Sequence, residues 1–131
     1  LARKYLAYPL LTNYVKPERE VQVILSPGNK SDQVGQVIKA IPEEINLALE
    51  NALAGFASWA KVLPQQRAAT VLKMADLMEQ NYVELLGLLV REAGKTLQNA
   101  ISEVREAVDF CRYYANQVIN EFDNDTHKPL G

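Results

Sequence analysis

The sequence predicts a mainly α-helical chain opened by a small N-terminal β-hairpin, and two observations carry that prediction. From Pro42 onward, apolar residues recur at steps of three and four through three successive segments, the spacing that lines one face of an α-helix. Before Pro42 the regular stretch is instead a short alternation on either side of a Ser-Pro-Gly-Asn turn, which is the period of a strand.

Residues 1–20 mix apolar residues with Pro9, Pro17 and charges and hold no period, so they read as a leader or arm. Residues 21–41 read as the hairpin. Val21, Val23 and Leu25 alternate with Gln22 and Ile24, Ser26-Pro27-Gly28-Asn29 turns the chain, and Val34 to Ile38 returns. Two strands are marginal by themselves, so this hairpin needs a further strand or a helix to lean on.

Residues 42–131 read as helices. Pro42 suits a first helical turn, where its missing N–H would have had no partner, and Ile45, Leu49, Ala52, Phe56, Trp59 and Leu63 follow as a stripe. Pro64 opens a second segment in which Ala68, Val71, Ala75, Met78, Tyr82, Leu85 and Leu89 keep the spacing as far as Gly94, with Asn81 a point of interruption. Thr96 is placed to cap a third helix striped by Leu97, Ile101, Val104, Val108, Cys111, Ala115, Val118 and Phe122, ending at Asp123-Asn124-Asp125. Charged residues do not flank the stripes regularly enough for a coiled coil.

Composition narrows the function classes. At 131 residues, 48% hydrophobic and 23% charged, the chain has ordinary globular usage. Fourteen basic against sixteen acidic residues, with no long run of either sign, give no footprint for nucleic acid or an anionic membrane. Cys111 stands alone and forms no internal disulfide, which suits a reducing compartment, and the cytoplasm is the expected location. Neither an apolar run of roughly 20 residues nor a signal peptide is present. Leu1 in place of Met, and a tail that stops at His127-Lys128-Pro129-Leu130-Gly131 as if entering another element, predict that both ends are cuts in a longer chain.

Candidate chemistry is sparse. With His127 the only histidine and no cysteine cluster, no metal site is expected. The six glycines are scattered, and no strand leads into a glycine-rich helix start, so no cofactor is expected on these residues. Cys111 lies mid-helix in an apolar stripe and reads as a small core residue rather than a nucleophile. Lys95 follows a helix-ending glycine, where a cation favours the preceding helix dipole, and this outweighs Schiff-base chemistry. Glu103 is the sole charge in a second stripe formed with Ala100, Ala107, Phe110 and Tyr114. A carboxylate there needs an arginine, a backbone donor or a ligand, and both a salt bridge and a substrate-site role stand open. Glu106 and Asp109 lie off this stripe and read as solvated.

Several runs carry a resemblance. Phe56-Ala57-Ser58-Trp59, Gln66-Arg67-Ala68-Ala69, Ala75-Asp76-Leu77-Met78 and Leu89-Val90-Arg91-Glu92-Ala93-Gly94-Lys95-Thr96 resemble, in order and spacing, the N-terminal helices of aldehyde dehydrogenases. Ala100 to Phe110, followed by Tyr113-Tyr114-Ala115, is similar to the glutamate-semialdehyde branch, and Phe122 to Gly131 resembles the segment entering the dinucleotide-binding domain of bacterial proline utilisation A proteins. The resemblance covers residues 21–131.

It implies an α/β parent in which these helices pack around a parallel nucleotide-binding sheet while the early strands join a bridging or oligomerisation sheet. It also implies NAD-dependent oxidation of L-glutamate 5-semialdehyde to glutamate, after a flavin (FAD) proline dehydrogenase module has supplied pyrroline-5-carboxylate. In that family a cysteine thiolate attacks the aldehyde, hydride passes to nicotinamide and a glutamate helps water release the acid. Those groups belong beyond Gly131, so the chain alone is expected to be inactive, with no catalytic or cofactor-binding residue. Glu103 alone carries over, as a substrate-binding candidate matching an acidic position on the helix that borders the aldehyde channel. The implied partners are the remainder of a longer chain, the small aldehyde and, through exposed apolar stripes, further copies of this chain. The competing reading is a free-standing helical interaction module without catalytic activity.

Overall fold

The computed structural model describes residues 5–11 and 19–122. Three strands precede four helices: β1 (Tyr5–Ala7), β2 (Gln22–Leu25), β3 (Gln33–Val37), α1 (Pro42–Trp59), α2 (Pro64–Gln80), α3 (Tyr82–Ala93) and α4 (Leu97–Glu121). This is the mainly helical chain with a small N-terminal sheet that the two periods predict. The Asp123-Asn124-Asp125 stop, His127 and the tail after Phe122 lie outside the described residues, as does much of the expected arm. The chain divides into two compact units, one of residues 1–61 with 91–94 and the other of residues 62–90 with 95–131.

In the first unit, β2 and β3 form the expected antiparallel hairpin, with Gln22 opposite Val37 and Ile24 opposite Gly35, and a register shift between Ile24 and Leu25. Its turn is closed by the Ser26 N–H donating to the Asp32 carbonyl at 2.9 Å, and the Asn29 side chain accepts from the Ser31 N–H at 3.1 Å. Val34 and Ile38 are buried, whereas Val21, Val23 and Leu25 stay exposed.

The sheet takes a third strand from the segment expected to be a leader or arm. β1 pairs in parallel with β3, Tyr5 opposite Gly35, and gives the sheet order β1-β3-β2. Three residues are too few to show a period, and the pairing spans some thirty positions of sequence, so this strand had no local signal. Gly35 makes the pairing possible: a Cβ there would stand 2.5 Å from the Tyr5 carbonyl oxygen.

Pro42 opens α1 as predicted, and Glu44 completes the start by accepting the Ile41 N–H at 2.9 Å. Glu44 is only 7% exposed and also pairs with Arg19, which supplies the opposite charge that burial of a carboxylate requires. The stripe along α1 is not covered. Ile45, Leu49, Leu53, Phe56 and Trp59 are all exposed among the described residues. The end of α3 is tied to the hairpin turn by Arg91, whose Nε and Nη2 donate to the two carboxylate oxygens of Asp32 at 2.9 and 2.7 Å.

In the second unit, Pro64 opens α2 and Asn81 ends it, so the predicted interruption is a real boundary between α2 and α3. Helix α2 packs on α4. The buried residues of the pair are Ala68 and Ala75 on α2 and Ala100, Val104, Val108 and Ala115 on α4, small side chains that let two helices approach closely. Arg112 of α4 reaches Glu79 of α2 at 2.5 and 3.0 Å and Asp76 at 3.6 Å along the rim. No helix among the described residues is long and apolar enough to cross a membrane.

Candidate functional site

Three consecutive residues set the geometry at the start of α4. Gly94 has φ +65°, a conformation that side chains disfavour, and a Cβ there would also stand 2.8 Å from Cγ of Pro27. Next, the Lys95 N–H donates back to the Leu89 carbonyl at 3.3 Å. Thr96 then caps α4 as predicted, its side-chain oxygen accepting the Asn99 N–H at 3.2 Å. Lys95 therefore sits on backbone fixed at both sides, between the stop of one helix and the start of the next.

Glu103 lies two turns into α4, and Lys95 Nζ donates to its Oε1 as an ion pair. Of the alternatives open in the sequence, the partner is a lysine rather than an arginine or a backbone group. The Lys95 charge is accordingly directed at Glu103 as well as lying near the α3 terminus where the sequence reading placed it. Lys95 lies eight residues before Glu103 and ahead of the Thr96 cap, outside the helical period, so the spacing along α4 does not announce the pair.

Glu103 keeps 45% of its side chain exposed. Its stripe is graded: Ala100 is fully buried, Ala107 half-buried, and Phe110 and Tyr114 exposed. Phe110 and Tyr114 stack with ring centres 6.0 Å apart, and Tyr113 meets Tyr114 edge-on at 5.3 Å. A carboxylate with one oxygen held by a lysine and the rest of its surface open is an acceptor for a polar or cationic group, not a nucleophile. Two grooves, one of about 590 Å³ beside β2 and one of about 400 Å³ lined by Glu79, Tyr82, Val104 and Arg105, do not include it.

The remaining candidates stay apart from it. Cys111 is half-buried in the middle of α4, away from any helix N-terminus. Glu106 and Asp109 are exposed. No cluster of three or more metal-ligating side chains occurs among the described residues.

The junction from β3 to α1 does not fit the phosphates of a dinucleotide. The junction from β3 to α1 is where a strand feeds a helix start, the arrangement that receives a pyrophosphate. Here the first turn carries Pro42, which has no N–H, and the carboxylates of Glu43 and Glu44, the latter already holding the Ile41 N–H. Negative charge at that point repels phosphate.

Comparison with known proteins identifies the family. The bifunctional protein PutA of Klebsiella aerogenes is 48% identical over 128 residues, 98% of this chain but 10% of that protein. The 1-pyrroline-5-carboxylate dehydrogenase 2 of Bacillus subtilis is 36% identical over 113 residues, 86% of this chain and 22% of that protein. Among solved structures, 1-pyrroline-5-carboxylate dehydrogenase from Thermus with bound NAD superposes with a TM-score of 0.81 at 32% identity, over 95% of this chain and 24% of that one. The chain thus spans about a tenth to a quarter of the length of these relatives. The aldehyde dehydrogenase family model matches residues 14–129, nearly the whole sequence. By that match, the chain belongs to the aldehyde dehydrogenase family.

Proposed function

We propose that this chain is the N-terminal scaffold of the aldehyde-oxidising module of a bifunctional proline-catabolic protein, one that converts L-glutamate 5-semialdehyde to glutamate with NAD. The observation that carries this reading is the 48% identity to a bifunctional PutA along 98% of the chain, against 36% to a dehydrogenase named for pyrroline-5-carboxylate alone. The parent has an α/β fold and works in the cytoplasm, with FAD in its proline dehydrogenase module. The three-stranded sheet joins a bridging or oligomerisation sheet, and the helices border the nucleotide-binding domain.

The scaffold is inactive by itself. Its one cysteine is half-buried in mid-helix, and its strand-to-helix junction disfavours phosphate. Nucleophile and cofactor contacts come from the remainder of the parent chain. Glu103, open on one side and held by Lys95 on the other, contacts the aldehyde substrate in the assembled module. The exposed face of α1 meets the parent chain, and in isolation it drives self-association. The same face would also serve a free-standing interaction module, a reading that a natural start and stop codon bounding these residues would favour.

Two measurements test the proposal. Purified 131-residue chain given pyrroline-5-carboxylate and NAD should produce no NADH, and turnover would overturn its inactivity. The coding sequence beyond Gly131 should carry a nucleotide-binding strand pattern and a cysteine nucleophile motif, and the absence of both would sink the assignment.

A further inference from the structure

We infer that Arg67 is an anchor for a carboxylate that the remainder of the protein lays across the start of α2; this rests on the reading of the chain as the N-terminal part of a longer one. Arg67 is half-buried near the beginning of α2, and its Nε is enclosed without a hydrogen-bond partner. A buried N–H without an acceptor loses its hydration and gains nothing in exchange, so folded proteins pair nearly all such groups. The acceptor for Arg67 is therefore missing from the described residues.

The other half-buried arginines show what that acceptor is. Arg19 pairs with Glu44, Arg91 with Asp32 and Arg112 with Glu79. At Arg91 it is Nε, together with Nη2, that takes the two carboxylate oxygens, at 2.9 and 2.7 Å. A guanidinium offers this fork to planar or tetrahedral oxyanions, and carboxylate fits it through both oxygens. The helix start adds a second preference for negative charge. Leu63 supplies no side-chain cap and the first turn of α2 holds no acidic residue, so the positive end of the helix dipole stands uncompensated.

Leu63, four residues before Arg67, is exposed. A free phosphate would satisfy the guanidinium and leave this leucine in water, whereas a polypeptide segment carrying an apolar side chain beside an Asp or Glu would cover both. The chain spans 10% of the PutA protein to which it is 48% identical, so in a protein of that length nearly all the chain that could supply such a segment lies outside these residues.

The test uses the full-length protein. Arg67→Met keeps an unbranched stem and removes the fork, and it should lower the thermal midpoint followed by circular dichroism by about 2–4 °C. Arg67→Lys keeps the charge without the fork and should recover about half of that loss. The Arg67→Lys variant also places an amine at the site, so a water-soluble carbodiimide should join position 67 by an amide bond to an Asp or Glu beyond Gly131 of the same chain, a product found by peptide mass spectrometry and absent from the unsubstituted protein.

An unchanged midpoint in Arg67→Met would overturn the anchor. So would a cross-link confined to residues 1–131, or none, because the loss would then come from packing inside the chain. A cross-link to a second copy, or a midpoint raised by inorganic phosphate in the unsubstituted protein but not in Arg67→Met, would name a different occupant and overturn the proposal as well. Aldehyde-dependent NADH formation in the same preparation tests the module's identity separately, so its failure is distinguishable from failure of the anchor.

Discussion

Helix α1 and the α2–α4 pair carry the same three-and-four spacing of apolar residues, yet Leu53 and Phe56 of α1 are 74% and 69% exposed while Ala75 and Ala100 are fully enclosed. The difference lies in side-chain size and in what each stripe meets. Alanines at Ala68, Ala75, Ala100 and Ala115 let two helices of one unit close on each other, and Val104 and Val108 fill the seam. The α1 stripe is built of leucine, isoleucine, phenylalanine and tryptophan, which need a broad apolar surface rather than a second narrow helix. Among the described residues no such surface covers them. Equal periodicity therefore marks two kinds of face, one enclosed between α2 and α4 and one left exposed among the described residues.

The largest effect that could break this comparison comes from the seam. Ala75→Leu inserts three heavy atoms where the side chain has no exposed surface, and overpacking of this kind costs about 1–3 kcal/mol. Thermal unfolding followed by circular dichroism should show a midpoint several degrees lower. An unchanged midpoint would mean that α2 and α4 are not closely packed.

A smaller effect depends on pH. The Arg112 guanidinium holds Glu79 below the usual carboxylate range, chiefly by hydrogen bonding, against an opposing desolvation and with a smaller contribution from charge attraction. A carboxyl whose pKa is depressed on folding stabilises the fold fully above its ordinary range, and that contribution is lost as pH falls through the lowered value. Glu79→Gln should thus flatten the fall in stability between about pH 6 and about pH 3, read from urea midpoints. An identical acid slope in the variant would place no weight on the Arg112 contact. The pair is well exposed, so the change should be modest.

The smallest effect on folding is expected from α1. Replacing Leu53 and Phe56 by Ser should shift stability by no more than about 0.5 kcal/mol for each change, since neither side chain is enclosed. The same double variant should lower self-association in analytical ultracentrifugation. A loss of stability as large as that of Ala75→Leu would show that the α1 stripe is packed after all, and the contrast between the two regions would disappear.

Much of the local structure was legible because its signals are local. Pro42 and Pro64 each open a helix, Asn81 separates α2 from α3, Gly94 ends α3 and Thr96 caps α4. Each of these residues acts through its own backbone geometry or through a hydrogen bond within one turn. The hairpin was legible for the same reason. By contrast, β1 depends on a distant partner in β3 and on the missing side chain of Gly35, and nothing within residues 5–7 announces either. Of the candidate site, the isolation of Glu103 in its stripe could be read directly, whereas the identity of its partner could not.

By itself, the sequence determined where the helices begin and end, which face of each is apolar, and that the chemistry-bearing residues are few. Those properties follow from short-range steric and hydrogen-bonding rules and from a fixed helical period. It took the packing of the chain to show that the α2–α4 stripe is enclosed while the α1 stripe is open, that a third strand joins the sheet, and that Lys95 pairs with Glu103. Burial and ion pairing depend on which surfaces meet in space, and a periodic pattern specifies a face without specifying what covers it.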